Sequence, residues 1–155
     1  MVESSTQQPD DHQVPMAQNN KESQFLTNGS VTSPKGFTAG AAYAGIKTYA
    51  KDKWDVGILV SSAACTTVGT YTRNKFVSPS VTLTKKLVDA GKVRSVFVSS
   101  GIANTGVGEQ GMLDAIESIA LAADQVHVEA DEMAIGTTGV IGVELPMALI
   151  RAGIP

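Results

Sequence analysis

Apolar residues in this chain come as short β-branched runs and as helical repeats, separated by small-residue turns, and the alternation predicts strands followed by helices. The first 34 residues stand apart. Gln, Asn, Ser, Asp and Pro dominate there, and large apolar groups are too few for burial to offset the entropy of ordering the segment. Residues 1–34 read as a disordered polar tail and residues 35–155 as one domain, beginning where Gly36 to Lys47 turns to small and apolar side chains. Asp55 to Ser62, centred on Val56-Gly57-Ile58-Leu59-Val60, predicts a strand buried on both faces. Thr66 to Thr72 predicts the next. Ser78 as N-cap and Pro79 at the first helical position open a helix carrying Val81, Leu83, Leu87 and Val88, with Lys85 and Lys86 exposed and Gly91 as its stop.

Arg94 to Ser99 predicts a third strand. Met112, Ile116, Ile119, Ala120 and Ala123 then recur at helical spacing with Asp114 and Glu117 opposite, which predicts a helix packed on the sheet. Val126-His127-Val128 and Met133-Ala134-Ile135 are short strand candidates, and Pro146 to Ala152 opens another helix. The fold class is therefore α/β, with helices on a mixed β-sheet. The chain ends at Gly153-Ile154-Pro155, just after that last helix begins, and an apolar face started there would have little to pack against. The expectation is a piece of a longer protein.

Composition narrows the function classes. At 155 residues, 43% hydrophobic and 17% charged, the chain suits one soluble globular domain. A formal charge of −3 argues against nucleic acid or an anionic membrane surface as partner. A single cysteine, Cys65, cannot close an internal disulfide, and His12 and His127 are too far apart for zinc-site spacing. No metal or organic cofactor is implied. The start lacks the pattern of a signal or transit peptide, and no apolar run reaches the ~20 residues of a membrane span. A cytoplasmic setting is expected.

The chemistry concentrates in Ser99-Ser100-Gly101-Ile102-Ala103-Asn104-Thr105-Gly106-Val107-Gly108-Glu109-Gln110-Gly111, between the run Val96-Phe97-Val98 and the helix beginning at Met112. Strand, glycine-rich turn and helix start can together aim backbone N–H groups at an anion or a developing oxyanion, although an ordinary turn uses glycines as well. The dinucleotide fingerprint does not fit, since no acidic residue about twenty residues on is placed to hold a ribose. No Walker lysine follows. Thr137-Thr138-Gly139 has the residue types of a self-cleavage point, but the turn reading is favoured. His127 between two valines reads as a packed or surface strand residue, and Cys65 as a small hydrophobe. Lys47, Lys51, Lys53, Asp52 and Asp55 read as a solvated charged face, and Asn74 and Asn104 as loop-holding residues.

From Gly36 to Pro155 the order of motifs resembles the ornithine acetyltransferase (ArgJ) family. The carriers are Gly36-Phe37-Thr38-Ala39 with Ala44-Gly45-Ile46-Lys47, Tyr71-Thr72-Arg73-Asn74, Ser100-Gly101-Ile102-Ala103-Asn104 with Gly108-Glu109-Gln110-Gly111, and Thr138-Gly139-Val140-Ile141-Gly142 with Leu145-Pro146-Met147. The resemblance implies a glutamate N-acetyltransferase that moves acetyl from N-acetylornithine to glutamate in arginine biosynthesis, on a threonine freed as a new N-terminus by self-cleavage. Family register sets the oxyanion-hole pair on Val107 and Gly108. Valine cannot donate the hydrogen bond of the family's threonine, and losing one such donor costs about 3–4 kcal/mol in the barrier. A shift to Thr105-Gly106 would restore a hydroxyl, but Gly108-Glu109-Gln110-Gly111 holds the original register. Ser99 and Ile102 also stand where asparagines are usual. The self-cleavage motif falls beyond Pro155, so the resemblance implies the N-terminal (α-chain) portion, with the sheet incomplete and the chain inactive until the C-terminal (β-chain) portion joins it. The complete enzyme is expected to be an oligomer. The alternative is a non-catalytic interaction protein or inactive remnant of the same fold.

Overall fold

The computed structural model describes residues 28–47 and 53–154. Four strands form one mixed sheet in the order β1 (Phe37–Ala42), β2 (Val56–Ser61), β3 (Ser95–Ile102) and β4 (Met133–Val140). β1, β2 and β3 pair antiparallel, and β3 pairs parallel with β4. Helix α1 (Pro79–Asp89) leads into β3, α2 (Gln110–Gln125) connects β3 to β4, and α3 (Met147–Gly153) follows β4. A single 3-10 turn, Ala130–Glu132, leads into β4. The tail expected over residues 1–34 lies outside the described residues as far as residue 27.

Alternation along the strands divides the sheet into two unlike faces. Phe97, Met133 and Ile135 point to the face carrying the helices, where they join Leu83, Ala115, Ile119, Ala122 and Ile150 in one buried cluster. Burial of each large side chain contributes roughly 1.5–3 kcal/mol, so this cluster holds the helices to the sheet. Thr84 adds a fixed point, its hydroxyl donating to the Ile135 carbonyl (2.7 Å) and accepting from the Ile135 N–H (2.9 Å). On the other face Val98 stands 48% exposed between Gly57 and Gly136, its partners across the sheet. β2 is consequently half-buried from Gly57 to Val60, where the apolar run predicts burial on both faces.

α1 begins as its sequence predicts: Pro79 is its first residue and the Ser78 hydroxyl accepts from the Val81 N–H (3.2 Å). Four expectations are corrected. Residues 66–72 form no strand, because both sides of β2 are already taken by β3 and by β1, which the small-residue segment had not disclosed as a strand. The segment is tied instead through Thr67, whose hydroxyl donates to the Val93 carbonyl (2.6 Å). Residues 126–128 are not a strand either. The Val128 N–H returns to the Ala123 carbonyl and the His127 N–H to Asp124, with His127 at φ +55°, which is a Schellman ending of α2 with histidine at the position glycine usually takes.

The third correction concerns the face of α2. The helix starts two residues before Met112 and buries Gly111, Ala115, Ser118, Ile119 and Ala122, while Ile116 is 47% exposed and Asp114 is buried. Gln110 makes that burial tolerable, its side-chain amide donating to the Asp114 carboxylate (2.7 Å). The fourth concerns Asp55, which is 3% exposed and belongs to no solvated face. Its carboxylate accepts from the N–H groups of Ala44 (2.6 Å), Gly45 (3.1 Å) and Lys47 (3.0 Å). Lys51 and Asp52 lie outside the described residues.

Candidate functional site

β3 continues three residues past the expected Ser99 and ends at Ile102, so the connection to α2 is residues 103–109. Its root is pinned from β4 and the turn after it: the Ala103 N–H donates to the Val140 carbonyl (2.8 Å) and the Gly142 N–H to the Thr105 carbonyl (2.7 Å). Asn104 lies fully buried at φ +51°, a left-handed conformation that asparagine tolerates better than most residues. Its side-chain amide donates to the Gly111 carbonyl (2.8 Å) and to the Ser80 hydroxyl (3.2 Å). Asn104 thus holds a loop, as its sequence context predicts. It does so from inside the core. Asn74 holds its own turn, accepting from the Phe76 N–H (3.0 Å).

Past that root the backbone is unpaired. Among the described residues, the N–H groups of Val107, Gly108 and Glu109 find no hydrogen-bond acceptor, and Glu109 at the N-cap of α2 supplies no side-chain cap. These donors sit at the positive end of a sixteen-residue helix, where an anionic oxygen is favoured. Val107 is half-buried and Gly108 exposed at φ +64°. The Thr105 hydroxyl is committed to its own turn, donating to the Ala103 carbonyl (3.1 Å). Gly111 is glycine for want of room: a Cβ there would stand 2.5 Å from Val107 Cγ2 and 2.7 Å from Asn104 Oδ1.

The other sequence candidates lie apart from this turn. Thr137 is on β4 with its hydroxyl 2.9 Å from both the Ser80 hydroxyl and the Ala103 carbonyl, so it serves the core beneath the loop. Cys65 is half-buried with Sγ 3.6 Å from the Ala63 carbonyl, and His127 closes α2. His12 lies outside the described residues. A hollow of about 510 Å³ on the exposed face of the sheet, bordered by Trp54, Val98 and Thr138, includes neither Val107 nor Gly108. Among the described residues no helix is long and apolar enough to cross a membrane. Sequence reasoning missed Asp55; its signal was a lone acid immediately before an apolar strand, which charge counting hides.

Fold and turn together define an α/β protein whose strand-to-helix connection presents unpaired backbone donors at a helix N-terminus. Comparison with known proteins places it more closely. The sequence pattern described as the ArgJ family matches residues 38–155, and the chain belongs to that family. The arginine biosynthesis bifunctional protein ArgJ of Dehalococcoides mccartyi is 41% identical over 130 residues, which is 84% of this chain and 32% of that protein. The protein of the same name from Symbiobacterium thermophilum is 43% identical over 126 residues, 81% of this chain and 31% of the relative. The chain therefore spans about a third of the length of these relatives. Among solved structures, ArgJ of Bacillus halodurans superposes with a TM-score of 0.77 at 35% identity, covering 82% of this chain and 65% of that one. The ornithine acetyltransferase of Mycobacterium tuberculosis, complexed with ornithine, gives 0.76 at 31% identity, covering 83% and 69%.

Proposed function

We propose that this chain supplies the oxyanion-stabilising part of a glutamate N-acetyltransferase that moves acetyl from N-acetylornithine to glutamate. The nucleophilic threonine belongs to polypeptide outside residues 1–155. Its oxygen attacks the acetyl carbonyl carbon, and negative charge gathers on the carbonyl oxygen. The Val107 and Gly108 N–H groups, at the positive end of α2, receive that charge. Collapse breaks the carbon–nitrogen bond, the ornithine nitrogen leaves with a proton, and acetyl stays on the threonine. The amino nitrogen of glutamate then attacks the same carbon, the bond from that carbon to the threonine oxygen breaks, the proton lost by the nitrogen returns to the threonine oxygen, and glutamate carries the acetyl group away. The exposed sheet face around Val98 is where the remaining polypeptide packs, and the complete enzyme is a cytoplasmic oligomer needing neither metal nor organic cofactor.

The observation that carries this reading is the run of unpaired N–H groups from Val107 to Glu109 ahead of α2. The test joins residues 1–155 to the corresponding continuation of the Symbiobacterium relative. That fusion is expected to cleave itself and to transfer acetyl from N-acetylornithine to glutamate, while residues 1–155 alone show no transfer. A fusion that folds and self-cleaves yet transfers nothing would overturn the proposal. It would favour the second reading, a non-catalytic member of the fold, for which the absence of a hydroxyl at Val107 is the supporting observation.

A further inference from the structure

We infer that Asn104 is a positioning residue for the acyl-oxygen site: its buried side-chain amide sets the direction of the Val107 and Gly108 N–H groups by tying the two ends of the loop together. This inference rests on the reading of those N–H groups as the oxyanion donors. Asn104 makes no contact with a reacting atom, so whatever it does it does through the loop.

The connection between β3 and α2 is fixed only at its ends. At the first end, Ala103 and Thr105 bond to Val140 and Gly142, and the Thr137 hydroxyl stands 2.9 Å from the Ala103 carbonyl. At the second end, the sole side-chain tie back to the root among the described residues is the Asn104 amide donating to the Gly111 carbonyl. A carbonyl can only accept, so the amide nitrogen must face Gly111, and the orientation of Asn104 is settled by that bond. The same nitrogen donates to Ser80 in α1, and the Ser80 oxygen is 2.9 Å from the Thr137 hydroxyl. Asn104 is thereby connected through Ser80 and Thr137 to the carbonyl of its own neighbour, Ala103.

Such a network is costly unless it is used. Asn104 is 0% exposed, and among the described residues its Oδ1 has no hydrogen-bond partner while its nitrogen is held at Gly111. That oxygen also lies where a Cβ on residue 111 would go, so asparagine and glycine form a matched pair. Between the two tied ends, the Val107 and Gly108 N–H groups meet no acceptor among the described residues and take their direction from the ends. Donors aimed at an oxyanion contribute mainly in the transition state, and a misplacement near 1 Å costs roughly 100-fold in rate.

The test compares Asn104→Ala and Ser80→Ala with Thr84→Val in the fusion described above. Thr84 joins the same helix α1 to the same strand β4, but at Ile135, away from the loop. Asn104→Ala is expected to lower kcat roughly 100-fold with KM for N-acetylornithine within about threefold, and Ser80→Ala to lower it about tenfold, since one of two amide bonds remains. Thr84→Val should lower the urea midpoint while kcat stays within about twofold. A kcat for Asn104→Ala within about threefold of the parent, or matched by Thr84→Val at equal stability loss, would overturn the inference.

A second measurement separates its failure from failure of the acetyltransferase reading. In residues 1–155, amide exchange at Met112 and Gly142, which are bonded to Glu109 and Thr105, should quicken at least about tenfold in Asn104→Ala and not in Thr84→Val. Quickened exchange supports positioning even in a fusion that transfers no acetyl. Unchanged exchange overturns it.

Discussion

Two turns at the same end of the sheet use one backbone device in opposite ways. In residues 43–47, three N–H groups converge on the Asp55 carboxylate, an anion supplied by the chain itself. In residues 103–111, the N–H groups of Val107, Gly108 and Glu109, just before α2, meet no acceptor within the described chain. The turns are neighbours: the Ser100 N–H of β3 donates to the Asp55 carbonyl, and a Cβ on Gly101 would strike Ile46. The first turn is a closed electrostatic unit and its anion is structural. The second leaves its N–H groups without an acceptor among the described residues, and under the proposed function they serve an oxygen that arrives with the reaction.

The largest expected effect is on the closed turn. Asp55→Ala leaves three N–H groups without their acceptor, and a loss of about 3–5 kcal/mol in urea unfolding follows, with Asp55→Asn at about half of it. A loss under about 1 kcal/mol would break the contrast by showing that the first turn does not need its anion.

Next is the open turn. Val107→Thr in the fusion should raise kcat by roughly 100-fold if the hydroxyl is an oxyanion donor the chain lacks. An unchanged or lower rate would mean the backbone N–H groups already suffice. Gly108→Ala separates strain from chemistry: nothing lies within 4 Å of its added Cβ, but φ is +64°, so a stability loss of about 1 kcal/mol is expected. A loss well above that would show that the turn is more tightly packed than its exposure suggests.

The smallest effect belongs to the far end of the sheet. The Arg94 guanidinium, bonded to both Glu132 oxygens at 2.9 Å, holds the Glu132 carboxyl below the ordinary glutamate range, and the Glu129 N–H adds to this. A depressed acid contributes stability above its ordinary value and loses it as pH falls through the depressed one. Urea midpoints of the parent should therefore drop more steeply than those of Glu132→Gln below the ordinary glutamate range, with turnover of the fusion at neutral pH the same in both. Parallel midpoint curves would remove the pair as a source of acid sensitivity.

Much of this was legible before any coordinates. The Ser78-Pro79 start of α1, β2 and the Met133 start of β4 follow from caps and β-branched runs, because those signals are local. β1 was not legible, since Gly40 and its alanine neighbours carry no strand preference and pair only because β2 offers an edge. The strand expected at Val126 to Val128 failed because α2 closes there on its own Ala123 and Asp124 carbonyls, with histidine rather than the usual glycine marking the stop. At the site, the small-residue loop and the family register brought attention to Val107 and Gly108. Asn104 read as an ordinary turn residue, because burial is a property of the assembled core and leaves no mark on a one-residue window.

The order of strands across the sheet equals their order along the chain. A nascent chain can therefore build the sheet without waiting for a later segment to be threaded between earlier ones. β1 and β2 are the first pair of strands to be complete, and β3 takes the free side of β2. At about 5–20 residues per second, the forty-one residues from Ser61 to Ile102 leave the hairpin roughly 2–8 s to pair before β3 is complete. Synthesis thus completes the residues of the Asp55 turn before those of the Asn104 loop exist.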